Sequence, residues 1–154
     1  MYDDILVPTD GSDVANAAVD HAVDVASKYD ATIHALFVAD TDMVAYSLGT
    51  EQVDRIRQGN FAGMTELRED AEAATGAVLD RATAAGLDAV ERHAGGRPQD
   101  VIADYAEEAG VDLLVMGSHG RSGVRRALLA TLPHRTLRST RVPVLVLDYV
   151  DEAA

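Results

Sequence analysis

Residues 116–131 read MGSHGRSGVRRALLAT, and the run just before them, Leu113 to Met116, is apolar enough to form a buried strand. Gly117, Ser118, Gly120 and Gly123 therefore fall in a loop at the carboxyl end of that strand. Glycines at this density permit positive φ and let a ligand approach the main chain closely, and backbone amides in such a loop turn toward an anion. The hydroxyls of Ser118 and Ser122 and the arginines at 121, 125 and 126 complete a chemistry suited to holding phosphate.

Four further apolar runs predict strands at Ile5 to Val7, Thr32 to Val38, Asp88 to Arg92 and Val142 to Leu147. Helical periods lie between them. In the first, Val14, Ala17, Ala18, Ala22 and Val25 recur at three- and four-residue spacing, with Asp13, Asn16, Asp20, Asp24 and Lys28 opposite. His21 falls on the apolar side of this helix. Met64, Leu67, Ala71, Ala74, Val78 and Ala82 mark a long second helix with Gly86 as its stop. Pro98 starts another, whose apolar set is Val101, Ile102, Tyr105 and Ala106. Strands alternating with helices predict an α/β, doubly wound parallel sheet covered on both faces. No linker or internal repeat divides the chain, so residues 1–154 are expected to form one domain. Residues 40–60 are the least regular stretch and are expected to hold a mobile flap and a short helix.

The chain of 154 residues is 47% apolar, enough to bury a real core. It has no cysteine, which removes disulfides and thiolate chemistry and fits a reducing interior. The opening MYDDILVPTD is acidic and leads straight into a strand with no basic region, and no segment is apolar for long enough to span a bilayer. A cytoplasmic location is expected. The formal charge is −13, with twelve arginines against the one lysine, Lys28. Such a surface repels itself in dilute buffer, whereas at about 1 M salt the Debye length falls to ~3 Å. Halophilic adaptation accounts for this composition; an acidic mesophilic protein charged for solubility is the alternative.

The charge is unevenly placed. From Leu113 to Leu147 there is no Asp or Glu, yet six arginines fall there, so the stretch carries +6 and the remainder −13 − 6 = −19. A chain this acidic should avoid nucleic acid, and a local basic island fits a small anion or an acidic partner; arginines pairing with the fold's own carboxylates would also produce it.

In an open α/β sheet the ligand crevice lies beyond the carboxyl ends of the strands, where strand order reverses. If strands one and four are neighbours there, Val7-Pro8-Thr9-Asp10-Gly11-Ser12 faces Gly117-Ser118-His119-Gly120. The carboxylate of Asp10 suits a ribose hydroxyl or a metal riding on phosphates, and the glycine loop suits the phosphates. Helix capping by Asp10 or Ser12 is the structural alternative. The residues propose a nucleotide. His34 and His93 stand isolated in or near strands, and His119 lies within the glycine loop. HExxH, cysteine pairs and carboxylates at metal spacing are all lacking, so any metal is expected to be Mg²⁺ carried by the nucleotide.

The opening ILVPTDGS, the later LLVMGSHGRSG and the final PVLVL together resemble the universal stress protein family over essentially the whole chain. The resemblance implies a five-stranded Rossmann-like sheet of order 3-2-1-4-5. Its ATP-binding branch carries glycine, two residues, glycine, nine residues, then glycine and Ser or Thr. Gly117, Gly120 and Thr131 match this pattern, while Ala130 stands where the third glycine belongs. Carried over, Pro8, Thr9 and Asp10 line the adenosine pocket and Val38 meets adenine through its backbone. Met116 and Gly117 border the ribose and first phosphate. Gly120, Arg121, Ser122 and Gly123 wrap the phosphate chain, closed by Ala130, Thr131 and Leu132.

The resemblance implies a stress-response regulatory protein that binds ATP and hydrolyses it slowly or not at all. The alternative is an ATP-independent interaction protein, for which the Ala130 methyl argues, since it can crowd the phosphates. An adenylating or hydrolysing enzyme on the same kind of sheet usually places its glycine-rich loop after the first strand, and TDGSD is not such a loop. A phospho-receiver is disfavoured, because ERHAGG and LDYVDE lack its aspartate and lysine. Pro143 belongs at a strand start or on an edge, so the run from Val142 to Leu147 is expected to be an apolar edge that pairs with a second copy, unless a loop or the acidic tail covers it.

Overall fold

The computed structural model describes residues 1–41, 49–118 and 140–147. Its elements are β1 (Asp4–Pro8), α1 (Asp13–Tyr29), β2 (Thr32–Asp40), α2 (Thr50–Arg57), α3 (Thr65–Ala84), β3 (Ala89–Gly96), α4 (Pro98–Glu108), β4 (Leu113–Gly117) and β5 (Val144–Leu147). The five strands form one parallel sheet of order β3-β2-β1-β4-β5, as expected for this class. The central strands are buried on both faces, which is why β1 and β4 read as unbroken apolar runs.

Each helix lies where its small residues allow. The Ser12 side chain caps α1, accepting from the Ala15 N–H at 3.3 Å, and Asp30, at φ 54°, closes the other end through the Ala26 carbonyl. Ala18, Val19, Ala22 and Ala26 bury against Ile5, Val7, Ile33 and Val115. The buried stripe is therefore rotated from the predicted one. Ala17 and Val25 are half-buried and His21 is exposed, because the alanines at 15, 18, 22 and 26 let the helix approach the sheet most closely along their own line.

On α3, Ala71, Ala74, Val78 and Ala82 are buried as the period requires, Thr75 joins them, and Gly86 at φ 75° follows the helix end. On the opposite face of the sheet, Ile102 and Ala106 of α4 pack on Leu6, Leu36 and Leu114.

The strand bounds differ from the reading of the sequence, by one or two residues in most cases and most at the end of β3. β3 runs on to Gly96 because it pairs with β2 along its whole length, from Ile33 with Ala89 to Asp40 with Gly96. β5 begins only at Val144, and Pro143 lies just ahead of it, its carbonyl accepting from the Leu114 N–H at 2.9 Å. The short helix expected within residues 40–60 is α2; of the same stretch, residues 42–48 lie outside the described residues, and the expected flap with them.

At the amino end of the sheet a polar chain fastens α4. The Asp4 carboxylate lies 2.9 Å from His34 Nε2, and His34 Nδ1 lies 2.8 Å from the Tyr105 hydroxyl. A carboxylate only accepts, so Nε2 carries a proton, and in the neutral imidazole the phenol then donates to Nδ1. His34 is thus far from isolated. Burial raises the Tyr105 pKa above the ordinary 10.0, Arg92 opposes this, and Asp4 adds to it. The fold therefore favours the neutral phenol. That contribution is complete below pH 10.0, the unfolded value, and is lost as pH rises through the higher folded value. Tyr105→Phe is expected to cost about 1 kcal/mol at neutral pH through the lost hydrogen bond. It should also flatten the fall in urea midpoint above about pH 10; an unchanged alkaline slope would show that Tyr105 does not contribute it.

Candidate functional site

The two halves of the sheet part at their carboxyl ends. The β1–β4 ladder stops at Leu6 with Leu114, whereas β1 stays with β2 as far as Pro8 with Leu36, and β4 stays with β5 as far as Gly117 with Leu147. Strand order reverses at this point, which makes it the switch-point crevice. The loop after β1 is its first wall. Thr9 is buried, its N–H donating to the Leu36 carbonyl at 2.8 Å and its hydroxyl accepting from Gly11 N–H at 3.1 Å. The Asp10 carboxylate accepts from Ser12 N–H at 2.9 Å. Gly11 sits at φ 80°, a conformation that side chains rarely adopt, so the turn into α1 depends on it.

β4 provides the second wall. A Cβ built on Gly117 would stand 2.9 Å from Cγ2 and 3.1 Å from Cγ1 of Val14, in the first turn of α1. Glycine here lets the helix that follows Asp10 press against the end of β4. Close packing is thus one reason for this glycine, whatever ligand it meets. Met116 is buried with its side chain in the core beside Leu36 and Leu114. Leu114 and Ser118 both donate toward β5, so Met116 between them turns its main chain to β5 as well, and Gly117 turns its own to the side where β1 has ended. Ser118 is buried, its N–H donating to the Leu147 carbonyl at 2.9 Å.

The third wall is the end of β2, which outruns β1 by four residues, Phe37–Asp40. Ile33 donates its N–H to Asp88 on the β3 side, and Leu36 accepts from Thr9 on the β1 side. Backbone groups alternate in direction along a strand, so Val38, two residues beyond Leu36, turns its N–H and C=O to the side where β1 has ended. A donor and an acceptor are thus presented together at the crevice.

The fold accordingly brings together Pro8, Thr9, Asp10, Val38, Met116 and Gly117. Gly120, Arg121, Ser122, Gly123, Ala130, Thr131 and Leu132 lie outside the described residues, as does His119. Val14 was invisible as a site residue, because its period marks it as core and nothing in the chain pairs it with Gly117. His93 is not isolated either. Its ring stacks on Phe61 with centroids 6.0 Å apart, and its Nε2 lies 3.0 Å from the hydroxyl of Thr75, itself 2.8 Å from the Glu91 carboxylate. Among the described residues, no group of three His, Asp or Glu is placed to hold a metal, and no helix is long and apolar enough to cross a membrane.

Comparison with known proteins gives one consistent result. The sequence profile described as "Universal stress protein family" matches residues 1–148. Universal stress protein MJ0531 of Methanocaldococcus jannaschii is 32% identical over 147 residues, covering 95% of this chain and 82% of the relative. The structure of MJ0577 from the same organism superposes with a TM-score of 0.77 at 24% identity, covering 99% of each chain. A universal stress protein solved in complex with cAMP superposes with a TM-score of 0.66 at 28% identity, covering 96% of this chain and 97% of the other.

Proposed function

Because this chain belongs to the universal stress protein family, we propose that it binds ATP in the crevice beyond β1 and β4 as a stress-response regulator. Hydrolysis is slow or absent. The observation that carries this reading is the end of β2, where Val38 directs an N–H and a C=O together into a crevice walled by the Asp10 loop and Gly117. That pair complements the acceptor N1 and donor N6 amine of adenine, while the N1–H and O6 of guanine present the reverse pattern. In this reading Asp10 receives the ribose hydroxyls. The phosphate contacts carried over from the family fall on Gly120, Arg121, Ser122, Gly123, Ala130, Thr131 and Leu132, with Mg²⁺ supplied by the nucleotide. Rapid phosphoryl transfer lacks a lysine, since Lys28 is exposed in the last turn of α1, at the opposite end of the sheet, and pairs with Asp24.

We infer that the whole chain acts as one domain, in the cytoplasm of a salt-adapted cell, as a homodimer joined through β5. The two sheet edges differ in a way that favours this. β3 carries exposed Glu91 and Arg92, and the residues around Gly59 lie against its carboxyl half. β5 offers only VLVL, and charge is what natural edges use against pairing.

Calorimetric titration with Mg-ATP and Mg-GTP in molar KCl tests the function. ATP should bind with a Kd on the order of micromolar, and GTP at least about tenfold more weakly. No heat with ATP, together with no adenine nucleotide released by denaturing the purified protein, would sink the proposal and favour an ATP-independent interaction protein. Ala130 is the specific feature that favours that second reading. Ala130→Gly distinguishes the two, since it restores binding only where the methyl alone obstructs the phosphates.

A further inference from the structure

We propose that Ile56 of α2 and Gly95 of β3 are positioning residues for adenine, holding the carboxyl end of β2 in the geometry that reads the base. This rests on the nucleotide reading above. Gly95 pairs in register with Ala39, and Ala94 with Val38, so the strand that supports Val38 from behind is the one α2 touches. A Cβ on Gly95 would overlap the Ile56 carbonyl oxygen and stand 2.7 Å from Ile56 Cγ2. A Cβ on Gly59, which sits at φ 75°, would stand 2.5 Å from the His93 carbonyl. Backbone thus meets backbone at two points along the free edge of β3, and no side chain fits between them. The Phe61 ring stacked on His93 adds a third point, and Phe37, the neighbour of Val38, completes that aromatic group edge-on with centroids 6.2 Å from Phe61.

α2 itself is weakly held. It has eight residues, of which only Val53 and Ile56 are buried; Glu51, Asp54, Arg55 and Arg57 are exposed and pair within the helix. A helix this short is marginal without tertiary packing, so it opens at low free-energy cost, and the end of β2 loosens with it. Adenine, which needs the Val38 donor and acceptor at fixed spacing, then binds more tightly to the docked form, and its binding in turn holds α2 down.

Ile56→Ala tests this by hydrogen exchange and titration on the full chain. Amides of α2, and of Phe37 and Ala39 in the nucleotide-free protein, should exchange about tenfold faster. The preference for ATP over GTP should fall about tenfold. A loss of folded protein would weaken both nucleotides equally and leave their ratio alone. Ile56→Val, which keeps most of the contact, should restore the ratio to within about twofold. An unchanged ATP-to-GTP ratio in Ile56→Ala, with α2 exchange accelerated, overturns the proposal. If the wild-type chain binds no adenine nucleotide, the function above fails, and exchange at Phe37 and Ala39 decides whether α2 positions β2: unaltered rates there refute it. Should Ile56→Ala fail to fold, the graded effect of Ile56→Val on the same amides serves in its place.

Discussion

Moving the protein from about 0.05 M to about 3 M KCl is expected to raise its unfolding temperature by roughly 5–10 °C, which follows from charge on its helices. Like charges stand three or four residues apart at Asp20–Asp24, Glu66–Glu69, Glu66–Asp70, Glu69–Glu72, Asp100–Asp104, Asp104–Glu107 and Asp104–Glu108. Each such pair destabilises a helix by roughly 0.2–0.5 kcal/mol at low ionic strength, so relieving all of them is worth roughly 1.5–3.5 kcal/mol. The cations that offset them, such as Lys28 with Asp24, Arg68 with Glu72 and Arg81 with Asp20, form exposed pairs of small individual value. Asp104 takes part in three of the repulsions. Asp104→Asn should therefore raise the midpoint in dilute buffer and leave it unaltered in concentrated KCl. A wild-type midpoint that stays within about 2 °C across this salt range would instead mark an ordinary acidic surface charged for solubility.

The second large effect concerns β5. Leu145→Lys is expected to convert a dimer into a monomer at micromolar concentration, weakening association by at least about 100-fold, or about 3 kcal/mol. Leu145 is 41% exposed in the single chain, and Val142, Val144 and Val146 pack on the core from the same strip of chain. Leu114 donates to Pro143 and Ser118 to Leu147, so the odd-numbered residues of the strip face β4, and Val144 and Val146 turn their N–H and C=O groups outward. A second β5 running antiparallel would take up these groups in a two-fold symmetric contact. Val146→Pro removes one outward donor without touching the ladder to β4, and it too should dissociate the pair. Sedimentation equilibrium reads both variants. A wild-type chain that sediments as a monomer, or a Leu145→Lys chain that remains a dimer, would remove β5 as the interface.

The layered α/β class was legible because it rests on local periodicity. Alternation of apolar runs with three-and-four spacing, Ser12 before α1, Pro98 at the start of α4 and Gly86 after α3 each act within a few residues of themselves. The candidate crevice was legible where it depends on type and order along the chain, as with Asp10 in the loop after β1 and Gly117 at the end of β4. Pairing along whole strands carried β3 beyond Arg92 to Gly96, and close packing of alanines rotated α1 so that His21 faces solvent.

By itself, then, the sequence determined the strands and the helices between them, because hydrophobic spacing and turn residues are properties of neighbours. Only the tertiary structure decided that Gly117 is small to admit Val14, that His34 and His93 are engaged with Tyr105 and Thr75, and that Val38 turns its backbone into the crevice. Those outcomes depend on register and on the approach of elements remote along the chain, where long-range packing rather than local preference sets the lowest free energy.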